Sequence, residues 1–453
     1  MKPLRLIVFT VAALTSMGMS AQKGDWSGKL TVYGNDITLV FHLDDDHCTI
    51  DSPDQGAKGI AAKMERTATG VKVSVPSINA VYEGINMGAS VMGTFKQNGQ
   101  AFPLTLKPGA VKRNRPQTPI APYPYQTEEV SFTNGDAVLK GTLTKPQGFS
   151  RKMPVLLMVT GSGLQNRDEE IYEHKPFAVI ADALARQGIA TLRYDDRGFG
   201  KSTGDLTNVT TEDLKNDALA GITMLRKQFD KVGVIGHSEG GTIALMLAAE
   251  QKVDFVVSLA GSITSGQNVL LEQNRWTLQQ AGYESNVTDR YCAVLDKLFN
   301  DVKAGVTPII DSQGLPTELA KNLEVVKAQC STPYMRYFLG LDISDSLSKI
   351  TCPVLALNGT KDRQVACEEN LTILRNGLKS KKEIHAIEGV NHLFQHCNTT
   401  KLRWLHHGCR SLSIYFIHLW FNWFTLTGNL YGHPIIFGLN HILVNPLHIR
   451  EIH

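Results

Sequence analysis

At 453 residues the chain is too long for one ordinary hydrophobic core, and two domains are expected. Its 42% hydrophobic and 20% charged content is that of a soluble globular protein. A formal net charge of +3 gives no strong pull toward nucleic acid or anionic lipid.

Residues 1–21 have the pattern of a cleavable signal peptide. Lys2 and Arg5 precede the apolar run Leu6–Leu14, and Ser20-Ala21-Gln22 offers a cleavage site after Ala21. The run is too short to span about 30 Å of hydrocarbon, and no cysteine stands at the cleavage point for a lipoprotein. A periplasmic or secreted protein is expected.

Residues 22–112 predict a small antiparallel β accessory domain. Lys29–Tyr33, Ile37–Phe41, Val71–Val75 and Ala89–Phe95 have strand character, and Gly34-Asn35-Asp36 and Gln97-Asn98-Gly99 are turn signals. Trp26 is expected to plug the core, with a glycan-binding surface as the sharper alternative. Residues 113–124 continue a proline-rich, basic stretch and form an exposed, semi-rigid linker.

Residues 125–398 predict an α/β domain. A hairpin turning at Asn134-Gly135 leads to apolar strands at Val155–Val159, Ile189–Tyr194, Val232–Ile235, Phe255–Leu259 and Val354–Leu357, separated by helix-length segments. That alternation means a mostly parallel sheet with helices on both faces. Residues 264–350 interrupt it and are expected to form a helical lid, with helices at Val269–Gln280, Val287–Phe299 and Pro316–Ala328. The seven cysteines show no C-x-x-C spacing and are expected to be mainly small buried apolar residues, although export leaves a Cys292–Cys330 bridge open.

The stretch VIGHSEGGTIA, residues 234–244, places Ser238 between a buried strand and a helical run, the setting of a nucleophile elbow. Gly236, Gly240 and Gly241 supply the clearance such a turn needs, and the N–H of Glu239 begins the helix, where an oxyanion can be held. Asp362 follows the strand Val354–Leu357, and His392 follows the next strand, Glu383–Ile387. Serine, aspartate and histidine in that order, each beyond a strand end, form the candidate nucleophile, orienting acid and base. A second oxyanion donor is expected from the loop after Val155–Val159, at the N–H of Ser162 or Gly163.

Taken together, TGSGLQNRDE, LRYDDRGFGKSTG and IGHSEGG resemble secreted bacterial α/β-hydrolases of the serine aminopeptidase-like (S33-type) and carboxylesterase group, some of which carry an N-terminal β domain. The resemblance covers about residues 125–395 and implies acyl-enzyme chemistry on esters or amides. It also implies a structural, loop-stabilising role for Asp195, Asp196 and Arg197. Other motifs fail. Gly198-Phe199-Gly200-Lys201-Ser202 lacks the first glycine of a phosphate loop, where Asp195 stands, and Gly161-Ser162-Gly163 lacks the third glycine of a dinucleotide fingerprint. No metal spacing is found and no cofactor is implied.

The composition changes past residue 398. Residues 396–453 hold eight of the fourteen histidines and three of the five tryptophans, and Glu451 is their one acidic residue. An out-of-frame ending is the first reading of the tail, 399–453; a membrane-associating tail is the second and an irregular histidine metal site the third. The expectation is an exported serine hydrolase acting on a small ester through Ser238, His392 and Asp362. A peptide substrate comes second, and a non-catalytic binding protein is the rival class. Apart from the tail no membrane anchor is expected, nor any nucleic-acid partner; the oligomeric state stays open.

Overall fold

Alternation along each strand decides the fold of the first unit. In Gly70–Val75, Val71, Val73 and Val75 are fully buried, while Lys72 and Ser74 lie on the other face. Eight such strands pair antiparallel in chain order in a computed structural model. They are β1 (Gly24–Val32), β2 (Asn35–Leu43), β3 (Cys48–Ser52), β4 (Ala57–Arg66), β5 (Gly70–Val75), β6 (Ala80–Asn86), β7 (Val91–Gln97) and β8 (Gln100–Pro108). β1 then meets β8 through Trp26↔Pro108 and Ser27↔Lys107, closing a barrel. The described residues are 23–397 without 33–34, 45–47, 56, 68, 111–114 and 172. The expected signal peptide and the atypical tail therefore lie outside them.

Trp26 is only 8% exposed and packs in the barrel core with Phe41, Tyr82 and Phe95, as expected of a plug. The turn at Asn98-Gly99 has φ of +48° and +80°, the paired left-handed values of a type I′ hairpin. The sequence reading found β1, β2, β5 and β7 and passed over β3, β4, β6 and β8, whose inward residues alternate with polar or small ones. In β6, Gly84 leaves the space that the Tyr82 ring occupies; a Cβ there would sit 2.6 Å from the Tyr82 hydroxyl.

A second compact unit begins at Arg115. Its eight-stranded sheet runs β16-β15-β14-β13-β11-β12-β10-β9. β9 (Gln126–Asn134) and β10 (Ala137–Lys145) form the antiparallel hairpin at one edge. β11 (Val155–Val159), β12 (Ala190–Tyr194), β13 (Val232–His237), β14 (Val256–Leu259), β15 (Val354–Gly359) and β16 (Lys382–Ile387) are mutually parallel. Every residue of β11, β13, β14 and β15 is buried, which is why these strands read as unbroken apolar runs.

Helix α1 (Pro176–Arg186) covers one face through Phe177, Ile180 and Leu184. Helices α2 (Thr211–Leu225), α3 (Glu239–Ala249) and α8 (Cys367–Gly377) share the other, with Ile222, Ile243, Leu247 and Leu371 in its core. Between β14 and β15 the lid comprises α4 (Gly266–Gln280), α5 (Ser285–Lys303), α6 (Thr317–Cys330) and α7 (Pro333–Gly340). It has its own core of Tyr291, Leu295, Phe299, Leu323 and Leu339. Cys292 and Cys330 are both buried in that core as free thiols, so they act as small apolar side chains and not as a bridge. Among the described residues no helix is long and apolar enough to cross a membrane.

Candidate active site

Ser238 stands between β13 and α3 with φ +54° and ψ −120°, a left-handed geometry that costs a non-glycine residue free energy. Three glycines make the turn sterically feasible. A Cβ on Gly236 would lie 1.9 Å from the Gly240 carbonyl oxygen, one on Gly240 2.2 Å from that of Val159, and one on Gly241 2.8 Å from the Gly261 Cα. The Ser238 N–H donates to Leu259 O at 2.8 Å, which ties the turn to the end of β14.

Asp362 lies in the turn after β15 and is buried with His392. Its Oδ1 accepts the N–H groups of Gln364 at 2.8 Å and Val365 at 3.0 Å, and its Oδ2 meets His392 Nδ1 at 2.8 Å. His392 occupies the loop after β16, where Asn391 Oδ1 accepts the N–H groups of Leu393 and Gln395, both at 3.0 Å. Gly359 lets this loop come close, since a Cβ on it would be 2.3 Å from Val390 O. Ser238 and His392 line one cavity of about 330 Å³ under the lid.

The loop after β11 passes beside the elbow, and a Cβ on Gly161 would be 3.2 Å from the Ser238 Cβ. Of the two candidate donors here, Ser162 lines the cavity and Gly163 does not. Among the described residues no acceptor is paired with the N–H of Ser162 or of Glu239, which leaves both for a ligand oxygen. The Gly161 N–H is already committed, at 2.9 Å, to Glu169 Oε1.

Residues 173–396 match the model of the family described as serine aminopeptidase, S33. An esterase of Thermotoga maritima, EstD, is 27% identical over 311 residues, 67% of this chain and 68% of its own. A monoglyceride lipase of Rattus norvegicus is 25% identical over 230 residues, 47% of this chain and 69% of its own. Among solved structures, an α/β-hydrolase GrgF from Penicillium sp. sh18 is 20% identical, covering 65% of this chain and 97% of its own at a TM-score of 0.41. The chain is a serine hydrolase, and its residues 173–396 are similar to the S33 type.

Sequence reasoning missed three residues of this hydrolase. His237, next to the elbow serine, is buried with both ring nitrogens engaged: Nδ1 with Glu169 Oε1 and Nε2 with the His392 carbonyl, each at 2.8 Å. Acceptors at both nitrogens require a proton on each, so His237 is an imidazolium. Burial, the largest single influence, lowers its pKa, but the Glu169 carboxylate, the His392 carbonyl and Asp362 together hold it above the ordinary histidine value. Glu169 thereby ties the loop of Gly161 to the backbone of His392. Its signal was the acidic run after Arg167, with nothing to say which carboxylate turns inward. Glu169→Gln is expected to leave this buried cation uncompensated and to cost about 3 kcal/mol in denaturant unfolding. The third missed residue, Tyr334, belongs to α7 and donates to Glu239 Oε2.

Asp195, Asp196 and Arg197 brace the surrounding loops. Arg197 binds both oxygens of Asp217, at 2.6 and 2.7 Å, and Arg167 binds both oxygens of Asp195, at 3.0 and 2.8 Å. Among the described residues Asp196 has no cation partner. It accepts the Thr160 hydroxyl at 2.9 Å and the Gln165 N–H at 2.8 Å, and burial pushes its pKa up to about 8. The folded state therefore holds this proton more tightly than the unfolded state. The resulting stability is present in full below the ordinary value of 3.8 and is lost as pH rises through about 8. Asp196→Asn is expected to flatten that fall, measured as unfolding free energy at several pH values.

Among the described residues no group of His, Cys, Asp and Glu could hold a metal ion.

Proposed function

We propose that the protein is an exported carboxylic-ester hydrolase that works through an acyl-enzyme. Ser238 Oγ attacks the acyl carbonyl while His392 takes its proton, and Asp362 keeps the imidazole in the tautomer whose Nε2 can accept it. The N–H groups of Glu239 and Ser162 hold the tetrahedral oxyanion. His392 then gives the proton to the departing alcohol oxygen, and a water activated by the same imidazole releases the acid. The observation that carries the reading is the buried Asp362–His392 pair, 2.8 Å apart, behind the cavity that Ser238 lines.

The cavity's electrostatics favour esters over aminoacyl peptides. An aminopeptidase has to bind a free α-ammonium group, which calls for an available carboxylate. The two carboxylates lining this cavity are both engaged, Glu169 by His237 and Gly161, and Glu239 by Thr211 and Tyr334. Val269, Leu270, Met335, Phe338 and Leu393 offer an apolar surface suited to an acyl chain. The names of the relatives, an esterase and a monoglyceride lipase, point the same way. The family description, serine aminopeptidase, favours the peptide alternative.

A fluorophosphonate probe, peptide mass mapping and a substrate panel test the proposal. The probe is expected to label Ser238, and p-nitrophenyl esters are expected to be cleaved far faster than aminoacyl-p-nitroanilides. Soluble, folded protein that takes no label points instead to the binding-protein class, and preference for the anilides points to the peptidase. Export is tested separately: after expression with its leader in a bacterium, the mature chain is expected to begin at Gln22.

A further inference from the structure

The N–H proposed to hold the oxyanion belongs to Glu239, whose side chain is a buried carboxylate. A negative charge in a site of low dielectric opposes an oxyanion forming beside it. Three neighbouring carboxylates are matched by cations, Glu169 by His237, Asp195 by Arg167 and Asp217 by Arg197, while Asp196 is held protonated by burial. Among the described residues Glu239 has no such partner and is bonded by two hydroxyls, Thr211 to Oε1 at 2.6 Å and Tyr334 to Oε2 at 2.5 Å.

Tyr334 comes from the lid. Its ring stacks on Phe338, with centroids 6.0 Å apart. Gly266 makes this docking feasible, since a Cβ there would lie 2.2 Å from the Phe338 carbonyl oxygen. One turn further along α7, Tyr337 donates to Glu212 on α2 at 3.0 Å, so the helix is anchored at two points.

We infer that Tyr334 is a positioning residue through which the lid completes the oxyanion site. Its phenol pins the Glu239 carboxylate and draws that charge into a hydrogen bond. The Glu239 donor is therefore set only while α7 is docked. The inference rests on the reading of Ser238 as nucleophile and of Glu239 and Ser162 as donors. It makes lid position a determinant of kcat, beyond shaping the pocket.

A double-mutant cycle on the full chain tests it. Tyr334→Phe is expected to lower kcat on p-nitrophenyl butyrate roughly tenfold, with KM changed by less than about twofold. In a Glu239→Gln background, where the charge is gone, the same change is expected to cost less than about twofold in kcat. Tyr337→Phe removes the second anchor of α7 and keeps the Tyr334–Glu239 bond, so it is expected to lower Tm and to cost far less kcat than Tyr334→Phe. The inference is overturned by an unchanged kcat in Tyr334→Phe, by an equal loss in both backgrounds, or by an equal kcat loss in Tyr337→Phe. Fluorophosphonate labelling of the wild type separates the two levels. A labelled wild type beside an unaffected Tyr334→Phe sinks only the role of the lid, whereas a folded wild type without label sinks the hydrolase mechanism beneath it.

Discussion

Ser238→Ala is expected to reduce kcat on p-nitrophenyl esters by about a millionfold and to abolish fluorophosphonate labelling. The size follows from the role: without the hydroxyl no acyl-enzyme forms, and what remains is water attack assisted by bound N–H donors. The fold should scarcely notice. Among the described residues the Ser238 hydroxyl has no hydrogen-bond partner whose loss would leave a buried polar group, and alanine keeps the same Cβ on the same strained backbone. Ser238→Gly separates strain from chemistry. It is equally inactive, yet it relieves the φ of +54° and is expected to raise stability by about 1 kcal/mol, read as a higher Tm. An alanine variant that kept its activity would remove Ser238 from the chemistry.

Much of the second unit was legible because its signals are local. Strands buried on both faces, such as Val155–Val159 and Val354–Gly359, leave no polar residue to break the run, so their order and spacing give the α/β sheet directly. The elbow is legible because close approach of the backbone demands glycine at 236, 240 and 241. Asp362 and His392 follow from lying beyond strand ends. Illegible were contacts whose partners are remote in the chain and whose residue types are common. Tyr334 and Glu239 are 95 positions apart, His237 and His392 155. Helix α7 went unread because PYMRYFLG is two turns long and opens on a proline, too short to establish a helical period, yet it brings Tyr334 of the lid to Glu239. The choice between Ser162 and Gly163 turns on which N–H faces a cavity, and neighbouring glycine-rich positions encode no such direction.

Asp362→Asn is expected to lower kcat by about ten-thousandfold while leaving Tm close to wild type. Both halves of that expectation come from the hydrogen bonds of this carboxylate. Oδ1 accepts the N–H groups of Gln364 and Val365, at 2.8 and 3.0 Å, and an asparagine satisfies them only by placing its carbonyl oxygen there. The amide nitrogen is then forced into the position of Oδ2, 2.8 Å from His392 Nδ1. A donor now faces Nδ1, so the imidazole has to accept there and carry its proton on Nε2, the nitrogen that should receive the serine proton. The loop keeps every main-chain hydrogen bond, and catalysis loses its base. Nitrogen chemical shifts of the His392 ring are expected to report the Nδ1–H tautomer in the wild type and the Nε2–H tautomer in the variant. A variant within tenfold of wild-type kcat would mean that His392 draws its tautomer from some other group, and the Asp362 side chain would be left with the turn after β15 as its whole purpose.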